Sequence, residues 1–136
     1  MPSAFVDSNV LIYAADESQP VSRNTSIARE VLRQRELWIS VQVLNEFTVN
    51  ARNVKKLNLT FEKEQQWLDR LLLFFITPLT TDTFLSALAI HARYQLSHWD
   101  SLIIVSAREA ACAIVYSEEM NHGQNYDGVQ VINPFL

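Results

Sequence analysis

Short apolar runs alternating with longer amphipathic segments predict an α/β domain built on a mainly parallel sheet of about five short strands flanked by helices. Three observations carry that prediction. Runs such as Ala4-Phe5-Val6, Leu37-Trp38-Ile39 and Ala113-Ile114-Val115-Tyr116 have strand length and are apolar throughout, as buried strands are. The segments between them repeat their apolar residues at helical spacing. Two of the runs then stop at a polar, acid-bearing step, Asp7-Ser8-Asn9 and Ser117-Glu118-Glu119. Right-handed crossovers bring the strand ends to one common edge, and in open α/β sheets that edge is where chemistry is done.

The 136 residues are 49% apolar, enough for one core of ordinary proportions, so a single domain over residues 1–136 is expected. Glycine is confined to Gly123 and Gly128, which excludes a dinucleotide fingerprint and a P-loop alike. Cys112 is the only cysteine, so neither an intrachain disulfide nor a cysteine metal site exists and a reducing compartment fits. With neither a signal-peptide pattern nor a run of membrane-spanning length, a soluble, cytoplasmic protein without a membrane partner is expected. The formal net charge of −4 argues against coating nucleic acid by bulk electrostatics, although a local basic rim is compatible with it.

In chain order, the first strand hands over to a short helix that Ser8 or Asn9 is placed to cap. Ala14 to Pro20 reads as a loop. A second helix follows over Ser22 to Arg35, with Ile27, Ala28, Val31 and Leu32 inward. After Leu37-Trp38-Ile39, Ser40 caps a third helix from Val41 to about Val54. Thr60, with Glu62 and Glu64 behind it, opens a fourth, whose stripe of Trp67, Leu68, Leu71, Leu72 and Phe75 is widened by Leu73 and Phe74. Ile76-Thr77-Pro78-Leu79 is the third strand, and its proline places it at a sheet edge. Helices over Thr81 to Leu96 and from Ser97 onward precede the fourth strand. Gln124 to Gly128 is a turn before a last strand, Val129 to Ile132.

Asp7 needs a reason where it stands, because Ser8 and Asn9 supply the capping that would otherwise explain it. Glu46 lies in the second turn of the third helix, beside its apolar stripe. Asp100 closes the capping-box pattern Ser97-x-x-Asp100 at the lip of a strongly apolar helix, where the positive helix end favours a carboxylate. Were these acids to converge, each pair at about 4 Å would repel by roughly 4 kcal/mol at an effective dielectric near 20. Such a group demands a counter-cation, and hard oxygen ligands without cysteine or paired histidine point to Mg²⁺ or Mn²⁺. His91, His98 and His122 lack the spacing of a zinc peptidase, and no nucleophile elbow is present.

Taken together, Phe5-Val6-Asp7-Ser8-Asn9-Val10-Leu11-Ile12-Tyr13-Ala14, Val43-Leu44-Asn45-Glu46-Phe47, Leu96 to Ile103, Tyr116 to Gln124 and Asn133-Pro134-Phe135 resemble a PIN-domain protein of the VapC toxin type over essentially the whole length. The resemblance implies a single PIN-like domain with strand order 3-2-1-4-5 and the first strand central. It implies a Mg²⁺- or Mn²⁺-dependent endoribonuclease, the toxin of a toxin-antitoxin pair, with RNA as substrate at a single-stranded or loop region, a cognate antitoxin and a homodimer. Asp7, Glu46 and Asp100 match the family's acidic positions. Glu119 stands where relatives carry aspartate in Ser-Glu-Asp, and it favours the alternative of a weakly active or inactive module that binds RNA or a partner. Asp7 and Asp100 are the expected direct metal ligands, Glu46 and Glu119 hold metal directly or through water, and Asn9, Ser101, Ser117 and Glu118 hold the carboxylates in place. Arg23, Arg52, Lys55, Lys56, Arg93 and Arg108 are candidate phosphate contacts, and the apolar arc around Trp67, Leu73 and Phe74 is a candidate dimer or antitoxin surface.

Overall fold

The computed structural model describes residues 3–136. Its centre is β1 (Ala4–Val6), three residues with at most 4% of their surface exposed. β1 lies between β2 (Leu37–Ser40) and β4 (Ile114–Tyr116), parallel to both. β3 (Phe75–Thr77) pairs with β2 at one edge. On the far side β6 (Val129–Ile132) lies parallel to β4, and β5 (Asn125–Tyr126) closes the sheet antiparallel to β6, giving the order β3-β2-β1-β4-β6-β5. A three-residue strand survives here because it is flanked on both sides, so its few backbone groups are all paired.

Among the described residues six helices surround the sheet: α1 (Ser8–Ala14), α2 (Arg23–Val31), α3 (Val41–Arg52), α4 (Phe61–Leu71), α5 (Thr81–Tyr94) and α6 (His98–Glu109). Ser22, Ser40, Thr60, Thr80 and Ser97 each cap the helix they precede, their hydroxyls accepting a backbone N–H three residues on. α6 is the interior helix. Its residues Ser101 to Ala107 are buried without interruption, because it packs against α5 and against the sheet through β2, β4 and β6. None of the helices described is long and apolar enough to cross a membrane.

The predicted architecture and order hold for the first four strands and for Val129 to Ile132 beside β4. The sheet has one strand more than expected. Asn125-Tyr126 pairs with Val129-Gln130 across Asp127-Gly128, whose φ values of 52° and 97° make the two-residue turn that matches strand twist. The apolar stretch after Leu71 also divides differently. Phe75 belongs to β3 rather than α4, where it lies opposite Trp38 and stacks on it at 5.2 Å, while Pro78 falls just beyond the strand. β3 is nonetheless the edge strand. α2 ends at Val31 rather than Arg35, and α3 at Arg52 rather than Val54. The cap of α1 is Asp7 itself, its carboxylate accepting the Ser8 N–H, so Ser8 and Asn9 are the first residues of the helix.

Candidate active site

Asp7 occupies the carboxyl end of β1. Its backbone N–H donates to the Tyr116 carbonyl at 3.0 Å, so the register between β1 and β4 fixes the residue before its side chain is considered. The carboxylate is 4% exposed. One oxygen accepts the Ser8 N–H at 2.7 Å and the other accepts the Ser117 hydroxyl at 2.8 Å. Burial pushes its pKa up to about 7 against the pull of those two bonds, and the negative charges of Glu46 and Asp100 add to the rise.

Ser117 is the junction of this corner. Its oxygen accepts from the Asn9 amide at 3.2 Å and from the Glu119 N–H at 3.0 Å, which commits its own proton to Asp7. Asn9 also accepts the Glu118 N–H at 3.2 Å, and the Glu118 carboxylate accepts the Tyr13 hydroxyl at 3.1 Å. Thus the end of β1, the start of α1 and the segment after β4 are tied together through side chains as well as through the ladder.

The other acids come from different elements. Glu46, on α3, accepts the Ser8 hydroxyl at 3.1 Å. Asp100, in the first turn of α6, donates its backbone N–H to Ser97 at 3.0 Å. Its carboxyl pKa is raised by burial, and Ser97 offsets part of that rise. Asp7, Glu46, Asp100 and Glu119 all line one cavity of about 250 Å³, together with Ser8 and Asn9. Ile12, Ile103 and Gln42 complete its wall. Among the described residues, no three acidic, histidine or cysteine side chains stand close enough to hold a metal ion as they are, so the acids face a shared space without closing on a point.

Not every expected residue reaches this space. Ser101 is fully buried and its hydroxyl donates to the Ser97 carbonyl at 2.8 Å, serving the helix start rather than a carboxylate. Glu118 is occupied with Tyr13 and lies outside the cavity lining. Of the basic candidates, Arg23 donates to the Phe135 carbonyl at 2.7 Å, Arg52 pairs with Glu64 at 2.7 Å, and Arg93 and Arg108 both pair with Asp127. Four of the six therefore have structural partners. Gln42 was not singled out from the sequence and Ser8 only as a helix cap, although Gln42 precedes Glu46 by four residues and so shares its helix face, a spacing that was there to be read.

The PIN domain family model matches residues 4–122. Among solved structures, a toxin-antitoxin complex from Klebsiella pneumoniae contains a chain 22% identical, with a TM-score of 0.72, covering 97% of this chain and 98% of that one. The crystal structure of Mycobacterium tuberculosis VapC20, a sarcin-ricin loop cleaving toxin, is 14% identical with a TM-score of 0.69, over 88% of this chain and 92% of that one. DNA-bound VapBC from Salmonella typhimurium contains a chain 17% identical with a TM-score of 0.65, over 96% of this chain and 97% of the other. No curated protein matches the sequence. At these identities the structures establish a shared fold, whereas the family match spans the acid-bearing β1 end, α3, α6 and the segment after β4, and on that ground the chain belongs to the PIN domain family.

Proposed function

We propose that this chain is a metal-dependent endoribonuclease, the toxin half of a toxin-antitoxin pair. The observation that carries the reading is the cavity at the β1 end. Four carboxylates line it, one of them buried, and no ion pair among the described residues involves any of the four. Uncompensated charge in such a place calls for a cation from outside the chain. The donors are hard oxygens only, which fits Mg²⁺ or Mn²⁺. The likeness in fold to VapC20 and to two toxin-antitoxin assemblies supports RNA as substrate and an antitoxin as partner.

A divalent ion bound there supplies an activated water and stabilises the charge that develops on the phosphate. The chain's own residues do the positioning. Asp7 and Asp100 would hold the ion from the β1 end and the α6 start, and Glu46 and Glu119 would hold it directly or through water. Ser117 and Ser8 keep the Asp7 carboxylate oriented by donating to both of its oxygens, and Ser8 also braces Glu46. Asn9 holds the Ser117 hydroxyl and the chain leading to Glu119. For the backbone of the RNA, Lys55 and Lys56 are the candidates whose side chains have neither an ion pair nor a hydrogen bond among those described, Arg23 being held by the Phe135 carbonyl. Of the arc around Trp67, Leu73 and Phe74 expected to meet antitoxin or a second copy, Leu73 is 86% exposed and is the residue that supports such a surface, with Leu72 beside it, whereas Trp67 and Phe74 are half-buried against the core.

Two observations favour a second reading, a PIN-fold module that binds RNA or a partner without cutting. The acids stand apart rather than in a tight ligand set, and Glu119 stands where the resemblance to VapC toxins leads one to expect an aspartate. Incubating the protein with structured RNAs and Mn²⁺, beside Asp100→Asn, separates the two. Cleavage lost with chelator and in the variant is expected. RNA that is retained but never cut by the parent supports the binding module.

A further inference from the structure

A second depression adjoins the acid cavity. It holds about 420 Å³, a size suited to a small organic group, and it shares Ser8, Gln42 and Glu46 with the cavity of the four carboxylates. Its remaining wall is of two kinds. Trp99, Leu79 and Val49 are apolar, with Trp99 61% and Val49 66% exposed. Asn45 and Asn50 present amides, and Asn50 donates one N–H to the Glu46 carbonyl at 3.0 Å, which leaves its second N–H and its oxygen for a ligand.

The lining contains no lysine, arginine or histidine. A phosphate therefore finds no charged partner here. Its one charged residue, Glu46, is already braced by Ser8. A flat indole, two aliphatic side chains and neutral amides are what an uncharged, planar ring with a hydrogen-bonding rim requires.

The placement of Trp99 is fixed from behind. Gln42 donates its side-chain amide to the Trp99 carbonyl at 3.2 Å, holding the first turn of α6, and the next residue is Asp100. The Gln42 oxygen is buried without a partner, in a side chain only 3% exposed, at the wall common to both depressions. A buried acceptor lacking a donor is uncommon in a finished structure, and here it stands in the side chain that holds Trp99 in place.

We propose that this depression is a nucleobase subsite: an unstacked base of single-stranded RNA, next to the phosphate facing the acids, stacks on Trp99 between Val49 and Leu79 while the Asn45 and Asn50 amides meet its edge. The inference rests on the endoribonuclease reading and adds to it how the strand is gripped. An aromatic platform tolerates any base, so the amides are the source of preference among bases.

The test uses the full chain and short single-stranded oligoribonucleotides, some with an abasic residue beside the cut position. Binding is read by fluorescence anisotropy and cleavage by single-turnover kinetics with Mn²⁺. Trp99→Ala is expected to weaken binding roughly ten- to a hundredfold, and Trp99→Phe to stay within a few-fold of the parent. An abasic residue costs the parent the same factor and costs Trp99→Ala nothing further. The loss falls on KM rather than on the rate of the bound complex. Asn45→Ala, at an exposed position, shifts preference among bases and serves if Trp99→Ala fails to fold. Unchanged RNA affinity in both variants, with the parent still binding and cutting, overturns the subsite and leaves the nuclease reading intact. Self-association lost in Trp99→Ala while RNA affinity stays put assigns the groove to a second copy and overturns it also. A parent that binds and cuts no RNA overturns both readings.

Discussion

Two buried acids in this protein live under opposite conditions. Glu64, 2% exposed in the first turn of α4, receives Arg52 through two contacts, at 2.7 and 3.3 Å. Asp7, 4% exposed at the end of β1, receives only a hydroxyl and a backbone N–H, and its charged neighbours are Glu46 and Asp100. One carboxylate is neutralised inside the chain and the other is left in want of a cation. The difference separates a residue that serves the fold from one held at the expense of the fold, which is how a functional site is recognised on physical grounds.

The largest effect that can break this contrast is at Asp7. Asp7→Asn is expected to reduce cleavage by at least about a hundredfold, since even partners that only orient metal ligands are worth 10- to 100-fold. The same change is expected to stabilise the metal-free protein at pH 8. The direction follows from the raised pKa. Below the usual carboxylate value of 3.8 the folded and unfolded chains both keep the proton. Between there and about 7 the folded chain binds it and the unfolded chain does not, so stability falls as pH rises and the loss is complete above about 7. Three units of difference correspond to on the order of 4 kcal/mol. Urea melts at pH 5 and pH 8, with and without Mn²⁺, check it: the metal-free parent is weaker at pH 8, Mn²⁺ recovers more there, and Asp7→Asn reduces the slope, leaving the smaller share that the raised pKa of Asp100 contributes. A metal-free parent equally stable at both values would place Asp7 in a solvated setting and end the contrast.

At the other acid, Arg52→Ala leaves Glu64 buried without its partner. The expected result is a lower melting temperature with the cleavage rate per folded molecule unchanged, read by calorimetry beside the RNA assay. Loss of activity without loss of stability would move Arg52 from the fold to the RNA surface. Glu119→Asp shortens an exposed side chain at the mouth of the cavity and is expected to change apparent Mn²⁺ affinity by less than about tenfold, measured as the metal concentration for half-maximal cleavage. The smallest change is Tyr13→Phe. It removes the hydrogen bond to Glu118 while keeping the ring against Phe135, so about 0.5–1 kcal/mol of stability is expected to go, by denaturant titration, with cleavage intact.

Much of this was legible in the chain because several local signals agreed. At Asp7 a strand-length apolar run, a polar step and a helical pattern coincide, and at Ser40 and Ser97 a capping residue stands just ahead of an apolar stripe. The failures lie where one signal fits two structures. Leu71 to Ile76 is apolar without a break, so periodicity does not say where α4 ends, and pairing with Trp38 decides it. Asp127-Gly128 is a hairpin signal, but strands of two residues on one side carry no periodicity to confirm it. Ser101 looked like a support for the acids because it follows Asp100, yet successive helical residues face different ways and it turns inward. The pairing of Arg93 and Arg108 with Asp127 depends on contacts between distant parts of the chain, which spacing cannot supply.

The bond between Ser117 and Asp7 joins residues 110 apart, almost the full span of the molecule. Its consequence is one of timing. Closing so long a loop costs more chain entropy than forming a local helix, and it needs both ends of the chain to be present. A chain still being synthesised, or cut short before β4, carries Asp7 and Glu46 but has no Ser117 hydroxyl to orient the first and neither Asp100's neighbouring strand nor Glu119 to complete the wall. The cavity is thus assembled by the last third of the sequence, and the cation site proposed above would be complete only in the finished protein.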